Sequence, residues 1–352
     1  MARMLRLMLT VLLLCACLSS APVGAAGQNG DLQQAAEDGN LDRVRALIDN
    51  GADVNARDTW GKTALMYAAS KDHVDVVRVL LQKGADVNAK TTNSTPEWLN
   101  GWTALMYAAN HGNCNAVRIL LNEGANAKVT ADDGQTVLVQ ATGCRDDIIR
   151  ALQRTGADLD AKSSTGVTGL MSAALSGDAS VVRTFLDKGA DVNAKTGDGG
   201  TALMVSAVMG HADVMRMLID RGADVNARDN DGQTALLLAI ENASTAEAIR
   251  RLVAIGVTIG ANPGALGNKP QPTASIVRTL LDNGADVNVG TNEGGTALMY
   301  AAQSCDEGIV QMLLDRGAKV NVETNAGVSA LMLAKGSGCG KIVRKLRNAG
   351  AK

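Results

Sequence analysis

A short motif of the form Gly-Ala-Asp-Val-Asn-Ala-Lys recurs along the chain, and its spacing is the strongest constraint on the fold. Successive copies lie 33, 40, 32, 33, 33, 34, 28, 33 and 33 residues apart. A period in this range predicts a stack of small units, each of which buries its apolar face only against its neighbours. Intact or worn copies begin at Gly51, Gly84, Gly124, Gly156, Gly189, Gly222, Gly256, Gly284, Gly317 and Gly350.

Each unit has the pattern of two short helices followed by a loop. In the unit that begins at Asp58, Thr63 is a good N-cap, and Leu65 and Ala68 follow it at helical spacing. A polar break then separates this stretch from a second apolar stripe. Gly84 can take the left-handed conformation that ends the second helix. The fold class predicted from this pattern is an all-α repeat solenoid.

Composition and motifs favour a binding protein over an enzyme. The chain has 34 Lys and Arg against 36 Asp and Glu, and it lacks a basic block, so we expect no nucleic-acid partner. No nucleophile motif, phosphate-binding loop or dinucleotide fingerprint occurs in a suitable context, so we expect no catalytic residues and no cofactor. Only three histidines are present, without CxxC or HExxH spacing, so we expect no metal site.

Residues 1–26 have the features of an export signal. A basic start precedes an apolar run of about a dozen residues, and small residues then suit cleavage after Ala25 or Ala26. The run is too short for a comfortable membrane span. The alternative is a lipoprotein signal with a lipid anchor at Cys17. We expect an exported protein in either case, periplasmic first, with secretion or lipoprotein anchoring as alternatives.

The stretch DTWGKTALMYAASKDHVDVVRVLLQKGADVNA, residues 58–89, resembles the ankyrin repeat. The resemblance covers residues 30–352 in about ten copies, and it implies stacked helix–turn–helix units with hairpin-like loops. One departure is systematic, because the family's Thr-Pro-Leu-His is Thr-Ala-Leu-Met here. This change predicts apolar packing between repeats in place of hydrogen bonds. The methionines concerned are Met66, Met106, Met204 and Met299.

The resemblance also implies a surface for a partner protein. In ankyrin proteins the loops project as fingers, and together with the first helices they line a concave surface that contacts the partner. The contacts come from residues around the loop glycine and from the end of the first helix. Mapped onto this sequence, the candidate partner-binding residues are Trp60, Lys62, Lys71, Trp98, Leu99, Asn100, Trp102, Asn110 and His111.

Two segments break the period. Segment 91–101 is an extended finger, with seven residues added to its repeat. Segment 257–289 has the pattern of a degenerate repeat that keeps a second helix but has no clear first helix. The prolines at 263, 270 and 272 disfavour a helix there. We expect the break at 261–272 to be a solvated insertion or hinge, with a second binding site as the alternative.

All three tryptophans fall on the fingers of two adjacent repeats. Because tryptophan is enriched at binding hot spots, we expect Trp60, Trp98 and Trp102 to anchor a partner. The alternative is that they shield the finger backbone or pack on one another. Tyr67, Tyr107 and Tyr300 follow the Thr-Ala-Leu-Met motif at a framework position, so we expect them to pack in the core.

Four cysteines lie beyond the export signal, each in the turn between the two helices of its repeat. Stacking brings equivalent turns of consecutive repeats side by side, and an exported protein meets an oxidising compartment. We therefore expect two disulfides, Cys114–Cys144 and Cys305–Cys339.

The sequence thus predicts a non-catalytic module that binds a protein partner of unknown identity through its concave face and fingers. Two alternatives stay open. The chain could inhibit or regulate an envelope enzyme, or it could be an architectural spacer or lipid-tethered scaffold without one dedicated partner.

Overall fold

The computed structural model describes residues 25–92, 100–132, 134–140, 149, 151–152, 154–241, 245–254, 257 and 273–352. Within these ranges the chain forms two compact units, Met1–Asp133 and Gly134–Lys352. Every regular element in the described part of the chain is a helix, and only isolated antiparallel bridges such as Gly290–Thr296 occur in the loops. The all-α repeat architecture is therefore confirmed.

The first unit contains three consecutive helix pairs. Their bounds are Ala25–Glu37 (α1), Leu41–Asp49 (α2), Ala64–Ser70 (α3), Val74–Gln82 (α4), Ala104–Asn110 (α5) and Cys114–Asn122 (α6). The first helix of each pair packs on the first helix of the next pair, and the second helices pack on one another in the same order.

The second unit begins with Val137–Gln140 (α7) and continues through eleven further described helices. They are Gly169–Ser176 (α8), Ala179–Asp187 (α9), Ala202–Met209 (α10), Ala212–Asp220 (α11), Ala235–Glu241 (α12), Thr245–Ala254 (α13), Thr273–Asp282 (α14), Ala297–Gln303 (α15), Glu307–Asp315 (α16), Ala330–Gly336 (α17) and Gly340–Asn348 (α18).

The first helices α3, α5, α8, α10 and α15 begin at a threonine N-cap, as the sequence predicts, and α17 begins at Ser329. The hydroxyl of Thr103 accepts a hydrogen bond from the backbone N–H of Met106 at 3.4 Å, and Thr201 does the same for Met204 at 3.3 Å. This bond satisfies one of the N–H groups that a helix start leaves unpaired. The motif methionines are buried between repeats, because Met66, Met106, Met204 and Met299 are each at most 1% exposed. Apolar packing between repeats is thus confirmed.

An asparagine ladder joins successive loops. In the first unit, Asn55 donates to the carbonyl of Gly84 at 3.1 Å and accepts from the backbone N–H of Asp86 at 2.7 Å. Asn288 repeats both bonds in the second unit with Gly317 and Lys319. Each asparagine therefore fixes the position of the next loop in its stack.

The ladder corrects the prediction that segment 257–289 is a separate degenerate repeat. Asn226 donates to the carbonyl of Gly284 at 3.0 Å and accepts from Asp286 N–H at 2.8 Å, so the loop at 222 stacks directly on the loop at 284. Helix α14 packs on α12 as its second helix and lies between α11 and α16. Helix α13 is therefore an insertion within one repeat, and most of the segment 257–272 lies outside the described residues.

The predicted disulfide Cys305–Cys339 is present, with 5.5 Å between the two Cα atoms. Cys305 has φ of 60°, a left-handed conformation that glycine occupies in most of the equivalent turns. The equivalent pair Gly177 and His211 is not covalent, but its histidine ring lies so close that a Cβ on Gly177 would come within 2.6 Å. The disulfide thus replaces a glycine–histidine contact at the same place in the stack.

Candidate functional site

The finger 58–62 of the first unit is held rigidly by one carboxylate. The backbone N–H groups of Trp60 and Lys62 both donate to Oδ1 of Asp58 at 2.8 Å, and Asp58 N–H donates to the Lys62 carbonyl at 3.0 Å. Gly61 has φ of 74°, and a Cβ there would lie 2.4 Å from the backbone nitrogen of Thr92. The finger is therefore fixed in shape and packed tightly on the next finger.

The extended finger 91–101 keeps the same base. Thr91 N–H donates to the Trp102 carbonyl at 2.9 Å, Gly101 N–H donates to the Thr91 carbonyl at 3.0 Å, and Trp102 N–H donates to the Thr91 hydroxyl at 2.9 Å. Thr91 thus takes the place of Asp58, and Trp102 takes that of Lys62. The added residues lie in sequence between these two ends, and most of them, including Trp98 and Leu99, are outside the described residues.

Trp102 is buried, with 1% of its surface exposed. Its indole lies 5.2 Å from the Tyr107 ring, centroid to centroid, at an interplanar angle of 55°. Such tilted aromatic pairs are favourable beyond the area they bury. The structure therefore gives Trp102 the packing role that the sequence left open as the alternative, and its ring does not offer a surface to a partner. Asn100, at the tip side of the same base, is half-buried.

Lys62 lies over two tyrosine rings. Its Nζ atom is 5.3 Å from the centroid of Tyr67 and 4.9 Å from that of Tyr107, both within cation–π range. The Tyr67 hydroxyl donates to Oδ2 of Asp58 at 2.7 Å. Burial, and then this hydrogen bond and the Asp58 charge, raise the pKa of Tyr67 far above its usual range. Burial raises the pKa of Tyr107 in the same way, so both phenols stay protonated at neutral pH.

Asp58, Trp60, Lys62, Tyr67 and Tyr107 form what we call the Trp60 cluster. Trp60 is its exposed member. Its side chain is 47% exposed, next to the half-buried Lys62. The indole thus stands on a finger whose backbone is fixed by Asp58. A large aromatic side chain that is half in solvent and rigidly mounted is suited to enter a pocket on another protein.

The remaining candidates lie at the ends of the first helices. Lys71 is exposed and 3.9 Å from the Glu37 carboxylate, Asn110 is half-buried, and His111 is exposed with its Nδ1 2.8 Å from the Tyr107 carbonyl. Lys71 and His111 follow α3 and α5 at equivalent positions, and Asn110 is the last residue of α5. The structure therefore brings them to the same side of the first unit, on consecutive first helices.

The predicted pair Cys114–Cys144 stays a prediction, because Cys144 lies outside the described residues. Cys114 is half-buried, and no described cysteine is joined to it. It lies two residues after Gly112, which has φ of 68°. Cys305, by contrast, occupies the left-handed position itself, so a bond from Cys114 would need a different register from that of Cys305–Cys339.

Two further features bear on binding. In the residues that the structure covers, no group of three or more His, Cys, Asp or Glu side chains is arranged to hold a metal ion. None of the helices in those ranges is both long and apolar enough to cross a membrane.

Stacked helix pairs, threonine caps and the asparagine ladder define an all-α repeat protein of the solenoid class. The family model "Ankyrin repeats (3 copies)" matches residues 12–91, 89–163, 170–263 and 269–352, well over half of the chain. The chain belongs to the ankyrin-repeat family, whose members are generally protein–protein interaction modules. Among curated proteins, none matches the chain at a significant level.

Sequence reasoning missed two residues of the Trp60 cluster. From the sequence alone, Asp58 marks only the start of a repeat, and Tyr67 only a framework position. The signal for Asp58 was present, since an aspartate two residues before a tryptophan and four before a lysine can bond both backbone N–H groups. The bond from Tyr67 to Asp58 could not be seen, because it depends on how the finger folds back over α3.

Proposed function

We propose that the chain binds a partner protein through the fingers and first-helix ends of its first unit, with Trp60 as the anchor. The observation that carries this proposal is the half-exposed indole of Trp60 on a finger fixed by two backbone hydrogen bonds to Asp58. The proposed surface also includes Lys62, Asn100, Lys71, Asn110 and His111.

Rigidity supports the proposal energetically. Binding loses free energy when loops and side chains must be ordered, and a finger already fixed in the free protein avoids most of that loss. The mixed polar surroundings of Trp60 resemble the rim that excludes water around a binding hot spot. The proposal contains no catalytic step and requires no cofactor.

Affinity capture tests this proposal. The chain without residues 1–26 serves as bait for the envelope fraction of the exporting cell, and the same bait with Trp60→Ala is run in parallel. We expect the variant to bind the captured partner at least about 30-fold more weakly, as expected for loss of a hot-spot tryptophan. Met332→Ala is the matched control. Met332 is also a large exposed apolar residue, 53% exposed, but it belongs to the second unit and lies far in sequence from the finger that carries Trp60.

The alternatives give different results. A spacer or scaffold without a dedicated partner would capture no protein at stoichiometric amounts with any bait. Equal binding by the Trp60→Ala bait and the unchanged bait would remove Trp60 from the proposal. If the partner is an envelope enzyme whose activity falls on binding, the chain is its inhibitor or regulator.

We also propose that the chain is exported to the periplasm. The pattern of residues 1–26 supports export, although residues 1–24 lie outside the described ranges, and the disulfide Cys305–Cys339 is consistent with an oxidising compartment. N-terminal sequencing of the protein from the producing cell tests this. A first residue of Ala26 or Gly27 supports cleavage at the predicted site, a lipid-modified Cys17 supports the lipoprotein alternative, and an intact Met1 contradicts export.

A further inference from the structure

Three positions recur in the described first helices that begin at a threonine or serine N-cap, four, seven and eight residues after that cap. We call them the first-helix face. In α3 they are Tyr67, Ser70 and Lys71, which are half-buried, half-buried and exposed. Two of the predicted partner-binding residues of α5, Asn110 and His111, occupy the same positions. The first-helix face of the first unit is therefore largely polar and open.

The first-helix face of α10 is different. Its three residues are Val205, Val208 and Met209, which are 0%, 0% and 5% exposed. In α8, α15 and α17 two of the three corresponding positions hold polar or small residues with solvent exposure, whereas the third is Leu175, Tyr300 or Leu333, of which Leu175 is buried. The two are Ser172 and Ser176 in α8, Gln303 and Ser304 in and after α15, and Gly336 and Ser337 in and after α17. Only at α10, among the faces described in full, is every position both apolar and buried.

Helix α13 lies outside the regular stacking of helix pairs. It packs on α10, although neither the pairing of helices within a repeat nor the stacking of first helices places it there. Its residue Leu252 is fully buried, and Val257, which follows it, is 1% exposed. Val253, which follows Leu252 in α13, is 54% exposed. Within α13, Leu252 thus lies toward the body of its unit, and Val253 lies toward solvent.

The stack does not use α13 as a structural member. Helix α14 fills the second-helix place beside α12, and Asn226 bonds directly to Gly284 across the insertion. The helix that packs on α10 is therefore a segment that the repeat architecture does not require.

We propose that the first-helix face of α10 is a binding surface for an amphipathic helix, and that α13 occupies it in the free protein. The ligand class is set by what lies there now, a short helix that presents Leu252 and is followed by Val257. A partner helix of the same pattern reaches this surface when α13 leaves it. This surface belongs to the second unit and is separate from the Trp60 cluster, so the inference does not rest on the proposed partner of the first unit.

A peptide competition experiment tests the inference. The probe is a fluorescently labelled peptide with the sequence of residues 243–258, measured by anisotropy against the full chain. In one variant, residues 243–272 are replaced by a single glycine, which restores the turn length found between α8 and α9. We expect this variant to bind the peptide about a hundredfold more tightly than the unchanged chain, because a tethered α13 competes at an effective concentration near the millimolar range.

Point variants give a second, independent readout. Leu252→Asp in the full chain removes the buried contact of α13, and we expect it to bind the unmodified peptide nearly as well as the excised variant does. Val253→Asp is the matched control, because the neighbouring side chain is exposed and its replacement leaves binding as weak as in the unchanged chain.

Two results would overturn the inference. One is a folded Leu252→Asp chain that binds the peptide no better than the Val253→Asp chain. The other is an unchanged chain that binds the peptide as tightly as the excised variant. Folding is checked for each variant by far-UV circular dichroism, and the Leu252→Asp comparison decides the matter if excision prevents folding.

Discussion

Trp60 and Trp102 show that neighbouring tryptophans on equivalent fingers have different roles. Trp102 is fully buried against Tyr107, so Trp102→Ala removes a large part of the core of the first unit. We expect this variant to lose about 3–5 kcal/mol of unfolding free energy. Trp60→Ala removes an exposed side chain, and we expect a change within about 0.5 kcal/mol. Urea unfolding followed by circular dichroism measures both, and similar losses for the two variants would contradict the assigned roles.

His211 makes the second unit sensitive to pH. Burial lowers its pKa below the ordinary value of 6.5, although its hydrogen bond to the Leu175 carbonyl opposes part of that shift. Because the folded-state pKa is depressed, the unfolded chain takes up a proton first as the pH falls. The stability associated with His211 is therefore present above pH 6.5 and is lost as the pH falls from there toward the folded-state pKa.

His211→Asn tests this dependence. At the equivalent position in the first unit, Asn113 donates to the Ala69 carbonyl at 2.9 Å, so asparagine can make a similar bond without titrating. We expect the unchanged chain to lose more stability between pH 7.5 and pH 5.5 than the variant does, because the ordinary pKa of 6.5 lies between these values. Parallel losses for the two proteins, measured by thermal unfolding, would show that His211 does not carry the effect.

At the scale of elements, the disulfide Cys305–Cys339 joins two turns that glycine and histidine join elsewhere. Removing a disulfide of this loop length costs about 2–4 kcal/mol, so we expect a loss of that size for Cys305→Ser/Cys339→Ser. The pair Cys305→Gly/Cys339→His rebuilds the contact seen between Gly177 and His211, and its glycine also removes the left-handed strain at position 305. We expect the second pair to be the more stable of the two double variants by chemical denaturation, and the reverse order would contradict this equivalence.

The helix pairs and their loops were predictable from sequence, because caps and loop glycines are local signals repeated many times. The insertion was not. The loop motif at 256 is degenerate, but it and the helix at 273–282 keep roughly the expected spacing. The sequence pattern therefore predicts a separate repeat there. Their true place depends on long-range bonds such as the one from Asn226 to Gly284, which no local pattern encodes. The burial of Trp102 was missed for a similar reason, since its packing on Tyr107 depends on how the base of the extended finger closes.

At the scale of the whole molecule, the two units carry different reporters. All three tryptophans belong to the first unit, and the disulfide Cys305–Cys339 belongs to the second. In repeat proteins, stability is close to a sum over units and the contacts between nearest neighbours. We therefore expect Cys305→Ser/Cys339→Ser to lower the unfolding midpoint seen by circular dichroism more than the midpoint seen by tryptophan fluorescence. Equal shifts of both midpoints would show that the chain unfolds as one cooperative block.

The direct bond between Asn226 and Gly284 has a consequence for protein engineering. The chain leaves the stack after α12 and returns at α14, while the loops on either side remain in register. The connection between α12 and α14 is therefore a suitable site for inserting another domain. We expect that a fluorescent protein or a small folded domain can be inserted there while the neighbouring repeats stay paired.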